Sequence, residues 1–270
     1  MAIVKGIFQA TGSIKGISFY SPVGSDKVIM RTKGGPSKER IAKGTEFAKL
    51  RQHQTEWAGC VQFAKAVRSA VGELYRLADY NLSPVWTGMG KSLIKLDTDG
   101  EVGQRPVRLT TYKQALEGFS FNKLYPLNSI LRVSPSFTID RKALLATVTF
   151  PRINTDMDLQ NVQRLPYFRL IITLGGVSDI VYNPIMQTVY QSINSNLQGI
   201  SQSNIGEWLP TNGIFAEQSM IVQFTDEIIA ECTDDMTLLL GIGLEFGTVG
   251  FGGGIVEVKR AGCAKIVKVG

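Results

Sequence analysis

The sequence is poor in the residues from which most recognisable chemistry is built. It holds one histidine, His53, and three cysteines, Cys60, Cys232 and Cys263, in 270 residues. One histidine cannot furnish a histidine-based metal site, and nothing pairs it with a nucleophile, so no metal, no cofactor and no catalytic residues are expected. Its place beside Gln52 and Gln54 suggests a solvated or interfacial helix position. An odd cysteine count with no CxxC spacing argues against a disulfide framework and fits a reducing compartment, the cytoplasm or an assembled particle. No run of about 18 apolar residues occurs, which predicts no membrane-spanning helix and no membrane partner. Residues 1–10 carry Lys5 inside an alternating stretch without a cleavage site, so no secretion signal is expected.

What is present describes a folded chain with a core and many tight turns: 44% hydrophobic residues, 19% charged residues and 28 glycines. The net charge of +6 conceals a cancellation. Residues 1–135 hold 20 Lys+Arg against 10 Asp+Glu, whereas residues 136–270 hold 9 against 13. Such asymmetry suits either a basic arm for nucleic acid or complementary faces through which copies stack head to tail.

The patterning falls into three segments. Over 1–33, short alternating runs around Ile3, Ile7, Phe8, Ile14, Ile17 and Phe19 are punctuated by glycine and predict a β-hairpin arm. Over 34–128, Ser37 is a candidate helix N-cap, and an apolar stripe at Phe47, Leu50, Trp57, Val61, Ala64, Val67, Val71, Leu74 and Ala78 predicts a long amphipathic helix. Gly44, Gly59 and Gly72 are its weak points or close-packing sites. Shorter helices are predicted over 85–96 and 105–122. From about residue 130 the period becomes two, and strands are expected through 129–270, including 214–224 and 227–231, with a polar loop over 191–203. The expected fold is therefore α+β, with a C-terminal antiparallel β-sandwich, immunoglobulin-like or jelly-roll-like.

Several motifs invite chemistry and fail on spacing. Gly88-Met89-Gly90-Lys91-Ser92 ends like a phosphate-binding loop, but Val85 stands where the first glycine belongs, and Ser83-Pro84 replaces the preceding strand. The glycine-rich run from Gly247 to Gly254 precedes a strand, not a helix, so no helix dipole would hold a pyrophosphate. It suits a hairpin connection. Asp156 with Asp158, Asp226-Glu227 and Asp234-Asp235 sit at predicted turns, and neighbours on a strand face opposite ways. A calcium loop at Asp97-Thr98-Asp99-Gly100 lacks further oxygens. From Lys27 to Arg51 the chain carries eight Lys+Arg, enough to track a phosphate backbone, with few aromatics for stacking.

The run Gly12-Ser13-Ile14-Lys15-Gly16-Ile17-Ser18-Phe19-Tyr20 with Arg31, together with Thr111-Tyr112-Lys113-Gln114-Ala115-Leu116-Glu117-Gly118-Phe119-Ser120-Phe121-Asn122, resembles an uncharacterised bacterial family. The resemblance implies a glycine-rich hairpin, a helical middle and a strand-rich end, and no established activity.

These features point to a non-enzymatic structural subunit that self-assembles, of the kind found in phage or phage-like particles. Its partners would be copies of itself and other particle proteins. The assembly arm would use Ile3, Ile7, Phe8, Ile14, Ile17 and Phe19 to add strands to a neighbour's sheet edge. The alternatives are a nucleic-acid-associated protein and a carbohydrate- or protein-binding module. The first would use Lys27, Arg31, Lys33, Lys38, Arg40, Lys43, Arg51, Lys65 and Arg68 as contacts. The second would present Trp208, Tyr182 and Tyr190.

Overall fold

The computed structural model describes residues 2–4, 11–22, 25, 27–32, 34–185 and 190–270. The chain divides into two compact units, 1–51 and 52–270. In the first, β1 (Ala2–Val4), β2 (Gly12–Ile14), β3 (Ile17–Tyr20) and β4 (Val28–Thr32) form an antiparallel sheet in the order β1-β4-β3-β2. The β2–β3 turn is only Lys15-Gly16, both at positive φ (40° and 85°), the backbone a two-residue hairpin needs and the reason glycine stands at 16. Helix α1 (Lys38–Lys43) follows, capped as expected by the Ser37 hydroxyl, which accepts from the Arg40 N–H.

The single long helix expected from the apolar stripe is four pieces. α1 stops at Gly44, a 3-10 turn spans Thr45–Phe47, α2 covers Ala48–Ala70, and a second 3-10 turn covers Gly72–Leu77. Both breaks fall at glycines marked as weak, and Gly72 takes φ 48°. The buried face of α2 also differs from the expected stripe. Trp57 is 51% exposed, with Leu50 and Val61 also exposed, while Glu56, Cys60, Phe63, Val67 and Ala70 are buried. Gly59 is a close-packing site: a Cβ there would lie 2.7 Å from the Tyr190 ring.

Helix α3 (Ser83–Leu96) matches its expected span, with Pro84 in its first turn. The helix expected over 105–122 is absent apart from a 3-10 turn at Lys113–Ala115. Gly118 and Phe121 instead donate backbone hydrogen bonds to the carbonyls of Ile266 and Ala264, so this stretch covers a strand edge. A short α4 (Leu127–Ile130) leads into the strands.

In chain order these are β5 (Ser136–Asp140), β6 (Leu145–Phe150), β7 (Ile153–Asn154), β8 (Tyr167–Ser178), β9 (Ile180–Tyr182), β10 (Tyr190–Ser192), β11 (Ser201–Ile205), β12 (Leu209–Pro210), β13 (Ile214–Phe215), β14 (Gln218–Gln223), β15 (Met236–Val249), β16 (Ile255–Glu257) and β17 (Cys263–Val269). Two short helices interrupt them, α5 (Thr155–Asp158) and α6 (Asp226–Glu231). The strand expected over 227–231 is α6, whose acidic first turn, Asp226 and Glu227, complements the helix dipole. The polar stretch 191–203 is not all loop, since β10 and β11 occupy its ends.

Among the described residues, a six-stranded antiparallel sheet centres on the long β8–β15 pair, with β11 and β12 on β8 and with β16 and β17 on β15. A three-stranded sheet runs β14-β6-β5. The architecture is α+β, with antiparallel sheets that do not close into a barrel. Because β8 and β15 are buried along both faces, two apolar clusters form, one on each side. On one, Phe63, Val67, Leu74 and Trp86 of the helical segments pack on Ile171, Leu239 and Ile266. On the other, Ala146, Val148 and Phe150 pack with Leu240, Ile242 and Leu244. The helical layer sits so close that a Cβ on Gly175 would strike the Ala70 carbonyl.

Candidate assembly surface and buried charge clusters

Cross-strand partners share a face. The pairings Ile14↔Ile17, Ile17↔Thr32 and Phe19↔Met30 therefore put Ile14, Ile17, Phe19, Met30 and Val28 on one side of the N-terminal sheet. Ser13, Ser18 and Arg31 line the other, where the Arg31 guanidinium lies 5.2 Å from the Tyr20 ring centroid. The apolar side is covered unevenly, with Val28 buried, Phe19 and Met30 half-buried and its outer end open. Ile14 is 64% exposed and Ile17 is exposed, and Val28 is the one buried residue described in 1–51. Ile3 pairs with Ile29 in β1, while Ile7 and Phe8 lie outside the described residues.

Of the basic residues singled out, Lys27, Arg31 and Lys38 are exposed, and Lys33 lies outside the described residues. Three others serve the first unit itself. Arg40 pairs with Glu46 at 3.0 Å, Lys43 pairs with Glu39 at 3.0 Å, and Arg51 donates to the carbonyls of Ile41 (2.7 Å) and Gly44 (2.8 Å), closing the break before α2. In the second unit Lys65 and Arg68 are exposed on α2, with Arg68 stacked 4.4 Å above the Tyr75 ring. The charge asymmetry follows the unit boundary: residues 1–51 hold 10 Lys+Arg against 3 Asp+Glu, and 52–270 hold 19 against 20.

Tyr190 is not a contact aromatic. It is fully buried, donates to the Arg105 carbonyl at 2.8 Å and meets Tyr182 edge-on. Trp208 lies under the Arg169 guanidinium, 4.2 Å from ring to cation. Gly88 to Ser92 are interior to α3, so their amides are committed to helix bonds and form no phosphate cradle. The glycines after Val249 form the turn between β15 and β16, and present Phe251 fully to solvent.

Two charge clusters escaped the sequence reading. Glu56 is 0% exposed, and its carboxylate accepts from Arg105 Nε (2.8 Å), the Gly103 N–H (3.0 Å) and Lys91 Nζ (2.5 Å). Burial pushes this carboxyl up, but the bonds from Arg105, Gly103 and Lys91 outweigh it and hold the pKa down at about 2. His53 Nδ1 approaches the same carboxylate at 3.9 Å. The second cluster is Glu245 on β15, gripped by Arg76 and by Arg169 at 2.7 Å, with Glu257 and Glu73 also on Arg76. Glu56 and Glu245 are each satisfied by cations from distant segments, an arrangement that ties those segments together. Desolvation raises the thiols of Cys263, to about 12, and Cys60, to about 11, and raises Cys232 as well.

Among the described residues no group of three or more His, Cys, Asp and Glu is placed to hold a metal, and no helix is long and apolar enough to cross a membrane. Comparison with known proteins finds no matching family, no matching curated protein and no matching solved structure.

Proposed function

We propose that this protein is a non-enzymatic structural subunit that self-assembles through its N-terminal sheet. One observation carries the reading: a sheet of four short strands leaves Ile14 and Ile17 of its apolar face exposed, and among the residues of this unit whose burial is described only Val28 is buried. A small sheet is stable only when such a face packs on something. The outer edges of β1 and β2 pair with no further strand among the described residues, so they can accept strands from a neighbour. The positive excess of 1–51 disfavours docking of two like N-terminal units and favours the body of a neighbouring copy, where Asp226, Glu227, Glu231 and Asp234 are exposed. That geometry is head to tail, which builds rings or filaments.

The test is light scattering with size-exclusion chromatography on the full chain, on an Ile14→Lys/Ile17→Lys variant and on a chain lacking Met1 to Tyr20. The full chain should associate at low salt and dissociate as salt rises, while both variants stay monomeric with unchanged thermal melts. A full chain that remains monomeric at high concentration and low salt refutes the proposal. So does a truncated chain that unfolds outright, because the arm would then belong to the chain's own core.

A further inference from the structure

The second unit contains a cavity of about 380 Å³ between α4, β5 and β17, floored by Leu127, Leu131, Phe137 and Val267. Its volume falls in the range of small-molecule sites, which are mostly apolar with a few convergent polar groups. The unusual member of its lining is Lys265. In β17 this residue pairs with Ile242, and its strand neighbours on the same face, Cys263 and Val267, belong to the apolar cluster beneath the three-stranded sheet. A lysine thus stands where the strand pattern calls for a hydrophobe. Its ammonium makes no hydrogen bond or ion pair with any described residue, and it is only partly exposed.

The other charged groups on the wall have hydrogen-bond partners, an ammonium and an amide for Glu117 and neutral oxygens for Arg132. Glu117 accepts from Lys268 Nζ at 3.5 Å and from the Val269 N–H at 3.4 Å. Arg132 donates to Gln160 Oε1 at 2.9 Å and to the Met157 carbonyl at 3.4 Å. Asn128 and Ser134 add hydrogen-bonding groups on the same wall. An ammonium at the wall of an apolar cavity with no counter-ion is a ready partner for one monoanionic group.

We infer that this cavity binds a small amphipathic carboxylic acid, its carboxylate on Lys265 and its apolar body against Leu127, Leu131 and Val267. Lys265 brings three uncommitted donors beside an apolar wall, which suits one carboxylate joined to a hydrocarbon body better than a phosphate, polar on every side. The floor selects an acid with a hydrocarbon body over acetate. Binding here is independent of the N-terminal sheet, so it stands or falls apart from self-assembly.

Amide NMR of the full chain decides it, with octanoate, octan-1-ol and inorganic phosphate titrated separately to millimolar concentration. Octanoate should give saturable shifts at Leu131, Val133 and Val267, and octan-1-ol and phosphate should bind at least about tenfold more weakly. Lys265→Met should weaken octanoate by about tenfold, whereas Lys259→Met, on the exposed surface, should not. Absence of saturable octanoate shifts overturns the inference. Equal binding of octan-1-ol or phosphate, or an unchanged affinity in Lys265→Met, does so too. Should Lys265→Met lose its dispersed spectrum, the octanoate and octan-1-ol comparison on the natural chain still decides.

Discussion

Replacing Glu56 by glutamine keeps the shape of the side chain and removes its charge, leaving Arg105 and Lys91 without their anion. The carboxyl titrates at about 2 in the folded chain against an ordinary value of 4.5. A depressed folded pKa contributes stability that is present above the unfolded value and lost as pH falls through the folded one. The difference of 2.5 units corresponds to about 3 kcal/mol at neutral pH, of which about 2 kcal/mol is gone by pH 3. Breaking a buried pair from one side also costs on the order of 3–5 kcal/mol, so the two routes agree in size. Urea denaturation of both chains at pH 7, 5, 4 and 3 should show Glu56→Gln less stable by about 3 kcal/mol at pH 7, with the gap closing by about 2 kcal/mol at pH 3. A gap that stays constant with pH, or no gap at pH 7, would refute the assignment of the stabilisation to the ionised carboxylate.

Two other perturbations read the layers directly. Gly175→Ala should cost about 3 kcal/mol, because the new methyl meets the Ala70 carbonyl, a backbone atom that cannot swing aside. Calorimetry should show Tm lowered by about 10 °C, and an unchanged Tm would mean that the helical layer is not seated on β8. In the native protein Cys232 should react with a thiol reagent before Cys60 and Cys263, which are buried with thiols pushed up to about 11 and 12. Three equal rates would contradict that burial.

Locally encoded features were legible in the residues. Ser37 caps α1, Gly44 and Gly72 interrupt the helical stretch, and α3 runs over its expected length, because caps and breakers act within a few residues. The strands expected over 167–174 and 237–246 are the larger part of β8 and β15, whose near-continuous apolar runs mark them plainly. Features decided by distant partners were not. Leu50, Trp57 and Val61 have the spacing of a core stripe, yet Glu56 is the buried residue, because Lys91 and Arg105 arrive from 35 and 49 positions away to neutralise it. Arg76 and Glu245 meet across 169 positions. Residues 226–231 carry Ile228-Ile229 within a segment too short for periodicity to separate strand from helix. Of the proposed assembly surface, the apolar alternation was visible at Ile14, Ile17 and Phe19. The exposure of Ile14 and Ile17 needed the coordinates.

The bulge in β17 has a consequence for the whole second unit. Pairing with β15 shifts by one residue between Leu240 and Gly241, so Val267 is the extra residue. Before it, Cys263 faces one apolar cluster. After it, Val269 faces the other and Lys268 looks out to solvent. The strand faces both cores along its length, with Ala264, Ile266 and Val269 toward one and Cys263 toward the other, and the extra residue sets the parity by which Val269 shares a side with Ile266 three positions earlier. Exchanging one side chain for another of similar size leaves that setting alone. Losing Val267 itself would give a regular ladder with Lys268 still opposite Leu240 and Val269 still opposite Leu239, so the bulge is the point in β17 where the length can change by one residue without reversing the faces.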